Sequence, residues 1–375
     1  MKILVCPDKF KGSLTAPEVC TAIASGIRAA MPVADIDEVP LADGGEGTCL
    51  LLTRQSGGTL IEREVAGPRF ESVRAAYGLS GDRQTAFIEM AAAAGLMLLD
   101  PDQRNPRFTT TFGVGELIGD ALNRGVRHIV LGIGGSATND AGIGMAAALG
   151  FQFLDAEGNR LEPVGESLIH LRRIARDAVH PRLNNVAVTT LCDVANPLYG
   201  PDGAARVYAP QKGADPETAI ILDNGLRNFS EVVGQEMKIS ANFPGAGAAG
   251  GLGAGAKVFL GATPERGIDF MMSATKFHQR LVGTDIIVTG EGRLDGQTLS
   301  GKVVSEVCRI GKKAGIPVIA VCGSAELTEE SRTALGLAAI ESLVDENTPV
   351  EIAIRHAPEL IAQKIKNVLT HIAAR

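Results

Sequence analysis

Residues 131–142, LGIGGSATNDAG, decide how this chain is read. The run before them, 127–131 (RHIVL), reads as a short buried strand, and the alanine-rich segment after them, 141–150, reads as a helix. A strand, then Gly132, Gly134 and Gly135, then hydroxyl and amide side chains opening a helix is an arrangement that cradles phosphate. The N–H groups at a helix N-terminus are unpaired and the dipole there is positive. Glycine lets backbone N–H groups approach an anion with no Cβ in the way. The stretch therefore points first to a phosphate or nucleotide site.

The same residues support a rival. Gly132, Gly134 and Ala137 fit G-x-G-x-x-A, and Asp155 ends the next expected strand, 151–154, at the spacing where a dinucleotide fold holds a ribose hydroxyl. Against it, Ser136, Thr138, Asn139 and Asp140 put four polar groups where that fold wants small apolar residues. Phosphoryl chemistry is the preferred reading; a dehydrogenase and a plain structural turn stay open.

Outward from this stretch the chain changes rhythm twice. Residues 2–6 (KILVC) form a buried-strand pattern ending at Pro7-Asp8, and a capping box at Thr15 and Glu18 opens a helix with Val19, Ile23 and Ile27 at helical spacing. A second strand, 36–41, leads into Asp43-Gly44-Gly45 and a helix over 46–56. Carboxylates at successive strand ends sit where open α/β sheets bind ligands. From 59 to 90 come strands without helices between them (59–65, 71–79, 85–90), which suggests antiparallel pairing and a different domain. The β-then-α rhythm returns at 285, with strands over 285–289, 318–322 and 339–344 and a closing helix over 351–372. We expect an α/β protein of two α/β domains: an outer, doubly wound, mainly parallel domain from 1–66 and 285–375, carrying 67–284 as an inserted mixed-sheet domain with the glycine-rich phosphate loops.

Between these parts lie three further polar stretches. Strand 186–192 ends in Asp193, Asn196 and Pro197, and Lys212 follows: an acid, a proline-fixed amide and a lysine suited to holding magnesium, orienting a hydroxyl and neutralising phosphate. Residues 244–255, PGAGAAGGLGAG, contain G-x-G-x-x-G but follow a proline instead of a strand. Gly296, Gly301 and Lys302 approach a P-loop, but Val303 replaces the hydroxyl residue that would hold magnesium.

Composition sets the outer bounds. The chain has 375 residues, 45% hydrophobic and 21% charged, as in a folded globular protein, and its 45 glycines are well above average usage. A net charge of −7 argues against a nucleic-acid partner and for small ligands. Six cysteines with no C-x-x-C pair, and a Met1-Lys2 start that runs straight into a strand, read as free thiols in a reducing cytoplasm. No apolar run is long enough to span a membrane.

Several blocks together resemble the bacterial type-1 glycerate kinase family: PDKFKGS (7–13), LADGGEGT (41–48), GIGGSATND (132–140), CDVANPL (192–198), APQKGA (209–214), PGAGAAGGLGAG and TGEGRLDGQT (289–298), in that order. The resemblance implies ATP-dependent phosphorylation of (R)-glycerate, generally to 2-phosphoglycerate, with Mg2+, and two α/β domains with the site in the cleft between them. Lys9 and Ala94 stand where serine is usual in the family, and Ala195 stands where aspartate is common, leaving Asp193.

On this basis Gly134, Gly135, Ser136, Thr138 and Asn139 are expected to hold nucleotide phosphates, with Lys212 and Lys302 as neutralising cations. Asp193 is the expected base, with Asp43 and Asp295 as rivals and with Asp193 and Asp295 as candidate metal ligands. Asp8, Lys11, Ser13, Asp43 and Arg293 are candidates for recognising the substrate carboxylate and hydroxyls. The expected partners are the small molecules glycerate and ATP, with neither nucleic acid nor membrane, for a cytoplasmic monomer or homodimer. A glycerate 3-kinase, a kinase of a related hydroxy acid, an NAD(P)-dependent dehydrogenase and a non-catalytic glycerate or nucleotide sensor remain as alternatives.

Overall fold

A computed structural model describes residues 1–295 and 303–373. Its strands are β1 (Lys2–Val5), β2 (Asp35–Glu38), β3 (Thr59–Ala66), β4 (Ser72–Leu79), β5 (Thr85–Glu89), β6 (His128–Gly132), β7 (Gln152–Leu154), β8 (Arg173–Ala175), β9 (Ala187–Leu191), β10 (Thr263–Glu265), β11 (Ile286–Leu294), β12 (Val318–Ala325) and β13 (Ala339–Ser342). The chain divides into two units, Met1–Asp43 with Ile268–Arg375, and Gly44–Gly267.

The discontinuous unit holds a parallel sheet in the order β13-β12-β11-β1-β2. Both faces of this sheet are covered, and the alternation of its strands shows it. Ile3, Val5, Ile286, Val288, Ile319 and Val321 point to one side, against Val19, Ile23 and Ile27 of helix Ala16–Ala30 and Ile361, Ile365 and Leu369 of helix Ala357–Ala373. Leu4, Cys6, Ile287, Ala320 and Cys322 point to the other, against Val303, Val307 and Cys308 of helix Val303–Ala314. The first and last helices touch closely, since a Cβ on Gly26 would lie 2.4 Å from the Ala362 carbonyl oxygen. The capping box is present, with the Thr15 N–H donating to Glu18 at 2.8 Å.

The continuous unit holds a mixed sheet in the order β10-β9-β6-β5-β4-β3, parallel from β10 to β5 and antiparallel from there to β3. The division falls at 43/44 and 267/268, where the sequence reading put it at 66/67 and 284/285. The reason is side-chain packing and register. β3 pairs with β4 along its whole length, from Thr59 opposite Leu79 to Ala66 opposite Ser72. The helix before it, Thr48–Gln55, lies on the same sheet: Cys49 Sγ donates to the Phe87 carbonyl at 2.8 Å, and Thr53 fills the space over Gly78. At the other end, Ile268 and Met272 of helix Gly267–Ala274 are buried in the discontinuous unit's core.

Two further expectations change. β11 continues to Leu294 because its ladder with β12 extends to Leu294 opposite Ala325, so Glu291 lies inside the sheet instead of in a loop. The single closing helix is two, Val350–Arg355 and Ala357–Ala373, broken at His356 (φ −114°, ψ 26°). Pro358 is tolerated in the first turn of a helix but not in its interior, so a new helix must start there.

Candidate active site

In the continuous unit the parallel strands end level with one another: Glu89 lies opposite Gly132, Gly132 opposite Leu191 and Leu191 opposite Glu265. The connections that leave this edge carry the polar stretches. Gly44, in the left-handed region at φ +89°, is wedged among them. A Cβ there would lie 3.0 Å from Gly267 Cα and 3.2 Å from Leu191 Cβ.

The glycine loop after β6 is pinned on both sides. Ala137 N–H donates to Ala94 O and Leu96 N–H to Gly135 O, both at 2.9 Å, and Thr109 Oγ1 donates to Ala137 O at 3.0 Å. Only Gly134 and Gly135 are exposed; Ser136 to Asp140 are buried. The helix begins later and is shorter than expected, at Ile143–Ala148. Its N-terminal N–H groups are not turned to a ligand, because the Asp140 carboxylate takes those of Gly142 (3.1 Å) and Gly144 (3.2 Å). This corrects the helix-start picture: any anion must be held by the loop tip itself. Burial pushes the Asp140 carboxyl up, against the hydrogen bonds from Thr111, Gly142 and Gly144.

Lys212 comes from a single turn, Pro210–Lys212, and is 2% exposed. Its Nζ donates to Ser136 Oγ and to the Thr138 carbonyl, each at 2.7 Å. Burial lowers its pKa to about 7, opposed by the negative charge of Asp140. Thr138 Oγ1 and both polar atoms of the Asn139 amide are buried with no hydrogen-bond partner among the described residues. The glycine-rich stretch at 244–255 packs against the loop. Ala249, Gly250 and Gly251 are all left-handed, and a Cβ on Gly250 would lie 2.0 Å from the Thr138 carbonyl oxygen. That stretch supports the loop and is not a dinucleotide turn.

Asp193 is exposed just beyond β9, and Gly267 N–H donates to it at 3.0 Å. Asn196, read from sequence as a hydroxyl-orienting amide, is engaged in the scaffold: it donates to Asp202 O at 2.9 Å and accepts from Tyr208 Oη at 2.5 Å. Asp155 turns away from the dinucleotide reading. It follows β7, which pairs with β8 in a separate two-stranded sheet, and accepts from Glu157 and Asn159 N–H in its own turn.

In the discontinuous unit the strand order reverses between β1 and β11, the switch point where such sheets bind ligands. Asp8 is buried there, its N–H on Gly290 O at 2.8 Å, and Lys9 Nζ stands 3.9 Å from both Asp8 and Asp43. Lys11 is exposed, whereas Ser13 Oγ donates to the Ile354 carbonyl at 3.1 Å and so is committed to the scaffold. Arg293 pairs with Glu326 at 2.6 Å and with Asp295 at 3.5 Å. Two groups here escaped the sequence reading as site residues. Lys9 bridges the two acids, and Glu291 is 6% exposed within β11; both lie in blocks that the sequence offered without showing which residues face inward. Lys302 and the near-P-loop at 296–302 lie outside the described residues. Among the described residues no group of three or more acids, histidines or cysteines is placed to cage a metal, and no helix is long and apolar enough to cross a membrane.

Phosphoryl transfer asks a protein for positioning and charge neutralisation, and this edge carries groups of the kinds that do both. Known proteins decide the class. The model of the glycerate kinase family matches residues 3–373. The chain is 43% identical to glycerate kinase from Bacillus subtilis, over 99% of this chain and 98% of that one. It is 42% identical to glycerate 2-kinase from Escherichia coli K12, over 100% and 98%. A crystal structure described as "putative glycerate kinase 2 from Salmonella typhimurium LT2" superposes with a TM-score of 0.89 at 43% identity, covering 100% of this chain and 98% of that one. The chain belongs to the glycerate kinase family, and it is a kinase.

Proposed function

We propose that this kinase transfers the γ-phosphoryl group of ATP to the 2-hydroxyl of (R)-glycerate, giving 2-phosphoglycerate and ADP. The observation that carries the site assignment is the loop at Gly134, Gly135, Ser136, Thr138 and Asn139, clamped by buried Lys212 at the edge where Asp193 emerges. The exposed tip glycines offer backbone N–H groups to phosphate oxygens. Asp193 takes the proton of the attacking hydroxyl while the new P–O bond forms and the β–γ bridge bond breaks, the charge leaving on ADP. Asp8, Lys11, Asp43 and Arg293 recognise the carboxylate and hydroxyls of glycerate, and Lys302 is a second candidate cation.

Magnesium suits this donor set. It is commonly held by one or two carboxylates together with nucleotide phosphates, so an exposed acid at a strand end is enough and no protein cage is needed. Asp193 and Asp295 are the candidates; when bound, the ion neutralises charge on the β- and γ-phosphates. We place the enzyme in the cytoplasm, acting on small molecules as a monomer or homodimer. The test is ³¹P NMR of the products after incubation with ATP, magnesium and (R)-glycerate. A 2-phosphoglycerate signal is expected; 3-phosphoglycerate would overturn the assigned hydroxyl, and no glycerate-dependent product would overturn the substrate.

A further inference from the structure

A lysine beside a phosphate loop is ordinarily read as a phosphate ligand, but here two of the three ammonium N–H groups are given to the loop itself. We propose that Lys212 is a positioning residue, whose buried ammonium sets the conformation of residues 136–139 for the nucleotide phosphates and meets the nucleotide through that loop instead of by contact. This rests on the reading of the loop as the nucleotide-phosphate site.

Three features carry it. Nζ has two short hydrogen bonds, and both acceptors, Ser136 Oγ and Thr138 O, belong to the loop. The turn that delivers it is wedged: Gly213 is left-handed (φ +95°), and a Cβ there would lie 2.2 Å from the Arg104 carbonyl oxygen. Gly250 also sits against the Thr138 carbonyl, and Gly255 against that of Ala141. The loop is thus held by the ammonium and by a glycine-lined surface, and withdrawing Nζ leaves two buried acceptors without their donor.

Burial also makes this clamp titratable. Lys212 is lowered to about 7 by burial, against the charge of Asp140, which favours the ammonium. In the free protein above neutral pH the amine is largely neutral. Phosphate charge at the loop favours the ammonium, so nucleotide binding draws a proton on, and by linkage protonation tightens nucleotide binding. As pH falls the proton is increasingly present before binding, and the uptake shrinks.

Calorimetry of ADP binding to the whole protein, in buffers of differing ionisation enthalpy from about pH 6 to about pH 9, tests this. The wild type should take up a proton approaching one per ADP on the alkaline side and almost none on the acid side, with affinity falling as pH rises. Lys212→Met should abolish the uptake and weaken ADP by about ten-fold or more, with the loss in turnover falling more on KM for ATP than on kcat. Lys212→Arg, permanently charged, should bind ADP with no uptake and a flat pH profile. If Lys212→Met failed to fold, Ser136→Ala, which removes one of the two acceptors, would decide: a loss in kcat with KM for ATP unchanged would overturn the proposal. So would a Lys212→Met variant that kept its ADP affinity and lost kcat, which marks direct contact in the transition state, or one that lost only thermal stability. Wild-type protein that bound no ADP would overturn the nucleotide reading of the loop, and this inference with it.

Discussion

Thr111 and Asp140 are locked together across the continuous unit, the Thr111 N–H and Oγ1 donating to the same carboxylate oxygen at 2.8 and 2.7 Å. Thr111 Oγ1 in turn accepts from Met145 N–H at 2.8 Å. The pair therefore fixes both the end of the glycine loop and the first turn of the helix after it. Thr111→Val keeps the shape and removes the hydroxyl, leaving a buried carboxylate short of one donor and a buried N–H without an acceptor. It should cost about 2–4 kcal/mol in urea unfolding.

Asp193→Asn should lower kcat by about 10²–10⁴-fold, the usual contribution of general-base catalysis, and change KM for ATP far less. Steady-state kinetics with glycerate varied at saturating ATP would measure it. Near-normal turnover removes Asp193 as the base.

Gly250→Ala places a methyl 2.0 Å from the Thr138 carbonyl at φ +67°. Strain and crowding together should cost about 2–4 kcal/mol, lower Tm, and weaken ADP binding, since the displaced carbonyl is an acceptor of Lys212. A variant as stable as wild type would show that the loop can move aside.

Stability should fall in acid partly through Asp120. Burial alone would raise its pKa, but hydrogen bonds from Arg63, Arg124 and Tyr77 outweigh it and hold the group at about 2. A carboxylate depressed in the folded state contributes fully above its unfolded pKa and loses that contribution as pH falls toward the folded value. Chemical denaturation between about pH 5 and about pH 2 should show this loss, and Asp120→Asn, less stable at neutral pH, should show a shallower one.

Much of the architecture was legible because it is written locally. Apolar runs marked the strands, and Thr15 with Glu18 marked a helix start. The unit boundary was not, because Thr48–Gln55 and β3 continue the βα rhythm of the first residues, and only the register with β4 assigns them to the other sheet. At the site, the blocks were visible but their internal division of labour was not. Asp140 and Asn139 are adjacent polar residues in sequence; one fastens a helix start and the amide of the other is buried with no hydrogen-bond partner among the described residues. Asn196 read as a ligand group and is tied to Tyr208, a partner no spacing rule connects to it.

The strand order of the discontinuous unit also sets a timetable for synthesis. β1 lies between β2 and β11, and Ile3 must find Ile286, with the whole of Gly44–Gly267 translated in between. At ribosomal speed that interval lasts roughly 10–45 s. During it the nascent chain carries one flank of β1 with an unpaired row of backbone groups, the kind of edge that recruits other strands. Ribosome-bound chains stalled once residue 267 has cleared the ribosome should show hydrogen-exchange protection in the continuous unit and none at the Cys6 N–H, whose acceptor is Val288 O. The inserted unit of this kinase thus folds while the first 43 residues wait, with a strand flank open to other chains until β11 emerges.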